Sequence, residues 1–384
     1  MFTLRHRDAD LIRFDWLPDR GGRQEVRIER IFPAAKRFAP LELRAAPTDE
    51  ALGRWLRGRT IPANRAYVRS FLAKQGLNER DTRGILAVSR GLSLQDAHWI
   101  AEDGFPGRWA DVNLYQNPFS RVLAWLAFTG YGSYVRTSVR SSPEYTTNGA
   151  LPKCWRRVGG EILLFKGGSE GAANAGREPQ SEFHAAQVAA ALGVPHVAYG
   201  LARFKGRLCS TCPLFTSQRT SFVPFARLTS AKTLDELEGF LRGFAPALLP
   251  DLRRILVLDA LIRNEDRHLG NVGLLVDNAT NEPRGLAPAF DHGLSLFPFA
   301  MEDDLANLGR YAATRRPVLY PDFDEAAAAR LAPSLRARLR SLAASFRFAR
   351  HPRLDLPASR LRALESFVRA TAARLSESRP ASSK

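Results

Sequence analysis

The strongest constraint on how this chain can fold lies between residues 264 and 293. Asn264-Glu265-Asp266-Arg267-His268-Leu269-Gly270-Asn271 follows the amphipathic run Leu252 to Ile262. After it come a short apolar run, Val272 to Val276, a polar stretch, Asp277 to Arg284, and Leu286-Ala287-Pro288-Ala289-Phe290-Asp291-His292-Gly293. These runs predict a helix, a tight polar loop, a hairpin and a second polar turn. That order lets Asp291 return toward Asp266 and Asn271, which are five residues apart in one loop.

Three such oxygen-bearing side chains match the needs of phosphoryl transfer. A carboxylate must orient or deprotonate an acceptor hydroxyl, and further oxygens must hold the magnesium that bridges the phosphates. Asp266 is the candidate base, with Asn271 and Asp291 the candidate metal ligands. Taken singly, each has a plainer role: Asp266 as the partner of Arg267, Asn271 as a turn residue, Asp291 as a cap before His292-Gly293. Their joint spacing, with Phe290-Asp291-x-Gly293 resembling an Asp-Phe-Gly metal-binding element, favours the phosphotransfer reading. His268 is a candidate to stabilise transferring charge or to hydrogen-bond the loop backbone.

An ATP site also needs a cation for the α- and β-phosphates and an acid to hold it. The 56 basic residues include only seven lysines, so an interior lysine stands out. Lys166 closes the apolar run Ile162-Leu163-Leu164-Phe165, where an unpaired ammonium would be costly. Glu182, sixteen residues on, is expected in the first turn of a helix beginning near Ser181; such a pair is the strand-lysine and helix-glutamate arrangement of kinases. Neither a Walker-type motif nor a Gly-x-Gly-x-x-Gly run occurs. Thr146-Thr147-Asn148-Gly149, expected between two strands, is the candidate phosphate loop, with Lys153 just beyond it.

Length and composition bound the rest. A chain of 384 residues exceeds one typical domain, and 45% hydrophobic content supplies a core. The formal charge of +17 attracts polyanions, so non-specific nucleic-acid contact is expected. Three cysteines fit a reducing, cytoplasmic setting, and Cys209-x-x-Cys212 reads as small core residues on a strand. No apolar run is long enough for membrane insertion.

Along the chain, residues 1–135 read as a short β element, turning at Asp19-Arg20-Gly21-Gly22, and then helices from Asp49 to about Gly130. Within them Leu52, Trp55 and Leu56 share one helix face. Residues 136–220, strand-rich from about Val135, contain two expected hairpins, turning at Gly159-Gly160 and Lys205-Gly206. Residues 221–384 read as mainly helical, with a tail that frays after Ser376. The fold class is α+β and bilobal, with a small β-rich lobe, a larger helical lobe and an additional amino-terminal region.

Lys166, Glu182, the loop at 264 to 271 and Ala-Pro-Ala-Phe-Asp at 287 to 291 together resemble the HipA-like kinases, and within them the CtkA-type Ser/Thr protein kinases. The match runs from about Ser142 to beyond Gly293; residues 1 to about 135 show no evident counterpart to the amino-terminal subdomain of HipA toxins. The resemblance implies a protein-kinase-like fold using ATP and Mg2+, with a protein Ser/Thr acceptor that can be the chain itself, at Thr146 or Thr147. By the same resemblance Asp266 is the base, Asn271 and Asp291 hold magnesium, and Lys166 contacts phosphate with Glu182 as its partner. The Asp-Arg-His-x-x-Asn run is also similar to phosphoinositide kinases. A lipid or small-molecule kinase and an idle nucleotide- or DNA-binding regulator therefore stay open.

Overall fold

The computed structural model describes residues 1–18, 24–132 and 142–378. They form two compact units, each assembled from several chain segments. The first takes Met1–Lys166, Leu214–Val223 and Leu275–Arg284; the second takes Gly167–Pro213, Pro224–Leu274 and Gly285–Lys384. The turn expected at 19 to 22, the strand onset at Val135 and the end of the tail lie outside the described residues.

In the first unit, β1 (Phe2–His6), β2 (Ala9–Trp16), β3 (Val26–Ile31) and β4 (His98–Glu102) form an antiparallel sheet in the order β3-β2-β1-β4. Alternation puts Ile12 and Phe14 on one face of β2, and Leu11, left unpaired by a bulge against β1, is buried in the same core with Leu43, Leu52, Trp55 and Leu56. The last three come from the helix Asp49–Arg57, capped by the Thr48 side chain. Two expectations change here. β4 interrupts the stretch read as helical, because His98 to Ala101 is buried at every position and so carries no period. Residues 62–67 within the same stretch are not helical either, the next helix beginning at Val68 after Tyr67 takes a left-handed φ of 63°.

β5 (Lys153–Val158) and β6 (Glu161–Gly167) form the first expected hairpin, also largely in this unit. Its turn is a Gly159-Gly160 pair with φ of 58° and 87°, the conformation that joins twisted strands in two residues. No strand precedes it at 142–149: Pro143–Tyr145 is a 3-10 turn, since proline supplies no donor to a ladder.

The second unit contains the other hairpin, β7 (Gly200–Phe204) and β8 (Arg207–Pro213), turning at Lys205 and Gly206 with φ of 52° and 80°. Cys209 and Cys212 are buried on β8, and no disulfide forms among the three cysteines. β9 (Thr220–Pro224), β10 (Gly273–Asp277) and β11 (Glu282–Leu286) make a three-stranded sheet in the order β11-β10-β9, most of whose residues belong to the first unit. The rest of the second unit is chiefly helical. Its core includes Leu252, Leu256 and Leu261 from the helix Leu249–Ile262, and Leu361, Leu364 and Val368 from the helix Ala358–Glu377. Among the described residues, no helix is long and apolar enough to cross a membrane.

Candidate phosphotransfer site

The loop 264–271 is held from beneath by a carboxylate the sequence reading passed over. Asp259, in the last helical turn before the loop, is completely buried. It accepts from Asn264 Nδ2 at 3.1 Å and from Arg267 Nε and Nη2 at 3.0 and 3.1 Å. Arg267, also buried, then donates from Nη1 to the carbonyls of Asn271 and Phe290 at 2.8 and 2.9 Å, and from Nη2 to His292 Nδ1 at 3.3 Å. One planar guanidinium therefore ties the end of the helix, the end of the loop and the segment carrying Asp291 together. Burial opposes its charge, but Asp259 outweighs that and holds the guanidinium above its ordinary range. Arg267 thus pairs with Asp259, and the plainer reading of Asp266 as its partner is replaced.

With its frame fixed, the loop closes on itself. The Asp266 carbonyl accepts from His268 N at 2.8 Å and from Asn271 Nδ2 at 3.0 Å. The amide nitrogen of Asn271 is thereby turned inward, leaving Oδ1 as the atom it offers a cation. The Asp266 carboxylate remains 38% exposed, 4.0 Å from His268 Nε2. His268 Nδ1 accepts the Gly270 N–H at 2.9 Å, which puts the ring proton on Nε2, facing Asp266. His268 thus does hydrogen-bond the loop backbone.

Asp291 is reached from β11 through Ala289, which bridges to His196 as a short parallel pair. It adopts a left-handed φ of 57°, unusual for a residue with a side chain, and its N–H donates to the Tyr199 hydroxyl at 3.0 Å. Burial pushes the Tyr199 phenol well up, and Glu182, Cys212 and Asp291 nearby add to the effect, so it stays neutral. Glu182 is 1% exposed and accepts from the Ser210 hydroxyl on β8. Its helix starts at Glu178, three residues earlier than expected, because Pro179 preorganises the first turn; Glu182 is therefore in the second turn. Tyr199 carried no sequence signal beyond its place beside β7.

In the first unit, Lys153 and Lys166 are direct partners in the β5–β6 register and both are buried. Directly opposed residues point to one face, so two ammonium groups share it. Gly149, with φ of 94°, comes so close to Lys153 that an added Cβ would be 2.1 Å from Nζ. Thr146 is buried and donates to the Leu92 carbonyl at 2.8 Å; Thr147 donates to Pro143 at 2.7 Å and accepts from Trp155 Nε1 at 3.1 Å. Both hydroxyls fasten the loop, while Asn148 and Gly149 are its exposed tip. Arg65 braces it from below, donating to the carbonyls of Thr147 and Lys153 at 3.2 and 2.5 Å.

Among the described residues, no group of three or more His, Cys, Asp or Glu side chains forms a metal cluster. Asn271 Oδ1 and the Asp291 carboxylate offer oxygen donors only, a kind of donor that fits magnesium, a cation that takes few protein ligands beside water and phosphate.

These units and this loop define a protein of protein-kinase-like fold. Residues 145–350 match the family model of the HipA-like C-terminal domain, more than half of the chain, which therefore belongs to the HipA-like family. HipA of Shewanella oneidensis MR-1, in a toxin–antitoxin complex with HipB and operator DNA, is 13% identical, with 97% of each chain covered and a TM-score of 0.54. The Helicobacter pylori proinflammatory kinase CtkA is 18% identical over 62% of this chain and 91% of its own, with a TM-score of 0.45. Curated proteins gave no match. The HipA likeness spans nearly all of the chain, so the fold correspondence reaches residues 1–135, where sequence alone offered none.

Proposed function

We propose that this chain is an ATP- and Mg2+-dependent Ser/Thr protein kinase. The observation that carries this reading is the buried Asp259–Arg267 frame, which fixes Asn271 and the Asp291 segment relative to one another while leaving the Asp266 carboxylate accessible. Asp266 orients the acceptor hydroxyl and takes its proton, and neutral His268 turns its Nε2–H dipole toward that carboxylate. Asn271 Oδ1 and Asp291 are the residues that would hold magnesium, which neutralises phosphate charge. Lys153 and Lys166, opposed on the β5–β6 hairpin, supply cations to the phosphates. Little covalent work falls to the protein, so positioning and electrostatics account for most of the catalysis. The acceptor is a protein serine or threonine; on the chain itself it is Thr147, which is half-buried, rather than Thr146, which is buried with its hydroxyl on the Leu92 carbonyl. The charge of +17 supports non-specific nucleic-acid contact that falls steeply with salt.

Purified protein incubated with labelled ATP, magnesium and a generic protein acceptor tests this directly. Phosphoserine or phosphothreonine by mass spectrometry is the expected product. Asp266→Asn should lower transfer at least ~100-fold while nucleotide binding persists; undiminished transfer removes Asp266 from the role.

A further inference from the structure

The second unit holds a cavity of about 710 Å³ that the catalytic reading does not use. Its charged lining is Arg263, Arg315, Arg316 and Arg374 against Asp322 and Asp324. Both carboxylates are already committed. Asp324 accepts from Arg263 at 2.9 Å through each oxygen and from Arg374 at 3.0 Å. Asp322 caps the helix Phe323–Ala329, accepting the N–H groups of Asp324 and Glu325 at 2.8 and 3.0 Å.

Arg315 and Arg316 are differently placed. Arg315 donates from Nε and Nη2 to Thr314 Oγ1, and its Nη1 is 3.8 Å from Glu265, beyond direct hydrogen-bond reach. Arg316 donates to the carbonyls of Ala313 and Arg315, and among the described residues it pairs with no carboxylate. Five N–H groups per guanidinium leave donors on both for an incoming anion. Leu308 and Phe367 add apolar wall.

The cavity adjoins the proposed base. Arg263, on its wall, immediately precedes the loop at Asn264, and Arg315 faces Glu265, the neighbour of Asp266. At about 3.3 Å per extended residue, a group held by Arg315 is a few residues from a hydroxyl presented to Asp266.

We infer that this cavity docks an acidic segment of the protein substrate, placing glutamate or aspartate side chains against Arg315 and Arg316 a few residues from the acceptor serine or threonine. The inference rests on the kinase reading for its purpose, but the docking itself needs no chemistry. Paired carboxylate–guanidinium contacts are the charge-assisted kind, and two of them account for about a tenfold preference.

The test measures binding and transfer separately on the full chain. Dye-labelled peptides carrying one serine flanked by glutamates, by glutamines or by lysines are titrated without nucleotide and read by fluorescence anisotropy. The glutamate peptide is expected to bind at least about tenfold more tightly than the glutamine peptide. Arg315→Glu/Arg316→Glu should erase that preference and favour the lysine peptide, with an unchanged melting temperature confirming the fold. If the double variant does not fold, Arg316→Gln, at an exposed position, should weaken the preference by itself. Equal affinity for glutamate and glutamine peptides overturns the inference, as does a preference that survives these substitutions. It is equally overturned if a short DNA duplex binds with the stronger dependence on Arg315 and Arg316. Arginine-dependent binding without transfer from labelled ATP to any peptide would uphold docking and sink the kinase reading; transfer indifferent to peptide charge would do the reverse.

Discussion

Arg267 and Asp259 meet in a two-point ion pair from which solvent is excluded, 1% and 0% of their side chains being exposed. The first prediction follows from that burial. Asp259→Ala leaves a buried guanidinium uncompensated and should cost about 3–5 kcal/mol in urea unfolding. Asp259→Leu with Arg267→Met should recover much of this, since apolar pairs replace buried ion pairs well. Phosphotransfer should not return with stability, because the carbonyls of Asn271 and Phe290 lose their donor. Recovered transfer would show that the loop holds its shape without the arginine.

Tyr199→Phe removes the oxygen that receives the Asp291 N–H. Leaving that donor without its partner should cost about 1–3 kcal/mol in unfolding measurements. It should also raise the magnesium concentration needed for nucleotide binding, read by titration, and Asp291→Asn should raise it further. Identical titrations for the native chain and both variants would detach Asp291 from the metal.

Gly149→Ala puts a Cβ where φ is 94° and where the Lys153 amine already lies. Strain of about 1–3 kcal/mol and a displaced ammonium should weaken nucleotide binding. Gly159→Asn is the control, because asparagine tolerates the φ of 58° in the hairpin turn. Fluorescent-nucleotide titration should separate the two, with only the first variant weakened.

Glu144 predicts a pH dependence of stability. Burial pushes its carboxyl from 4.5 up to about 7, opposed by the Trp155 N–H and by Arg65. Between those values the folded state keeps a proton that the unfolded state has lost. Stability should therefore decline as pH rises through that interval, by up to about 3 kcal/mol. Glu144→Gln, which does not titrate, should flatten that limb of the curve in denaturant melts at pH 5 to 8.

What the sequence disclosed was whatever is encoded locally. Gly159-Gly160 and Lys205-Gly206 announced their hairpins because left-handed φ values demand such residues. The loop 264–271 was legible because its chemistry and its spacing are contiguous. Asp259 escaped notice although a lone carboxylate in the apolar run Leu256 to Ile262 was a signal, since burying it without a partner is expensive. Arg267 looked like a neighbour of Asp266 because sequence adjacency hides which way a side chain turns. β4 was unreadable: its partner is β1, more than ninety residues away, and full burial erased any alternation. Thr146 and Thr147 read as groups offered to phosphate, but the carbonyls that receive their hydroxyls belong to residues no local pattern could supply. The cavity lined by Arg315 arises where the helix Ala358–Glu377 meets the short helices and turns between 305 and 324, and no periodicity announces that.

The scarcity of lysine also has a practical side. Acylating reagents attack amines and spare guanidinium groups, so exhaustive treatment would neutralise few of this chain's cations and leave its long-range field nearly intact. Two of those few amines, at 153 and 166, are walled in on facing strands, and their slow labelling becomes a chemical clock for the opening of that hairpin.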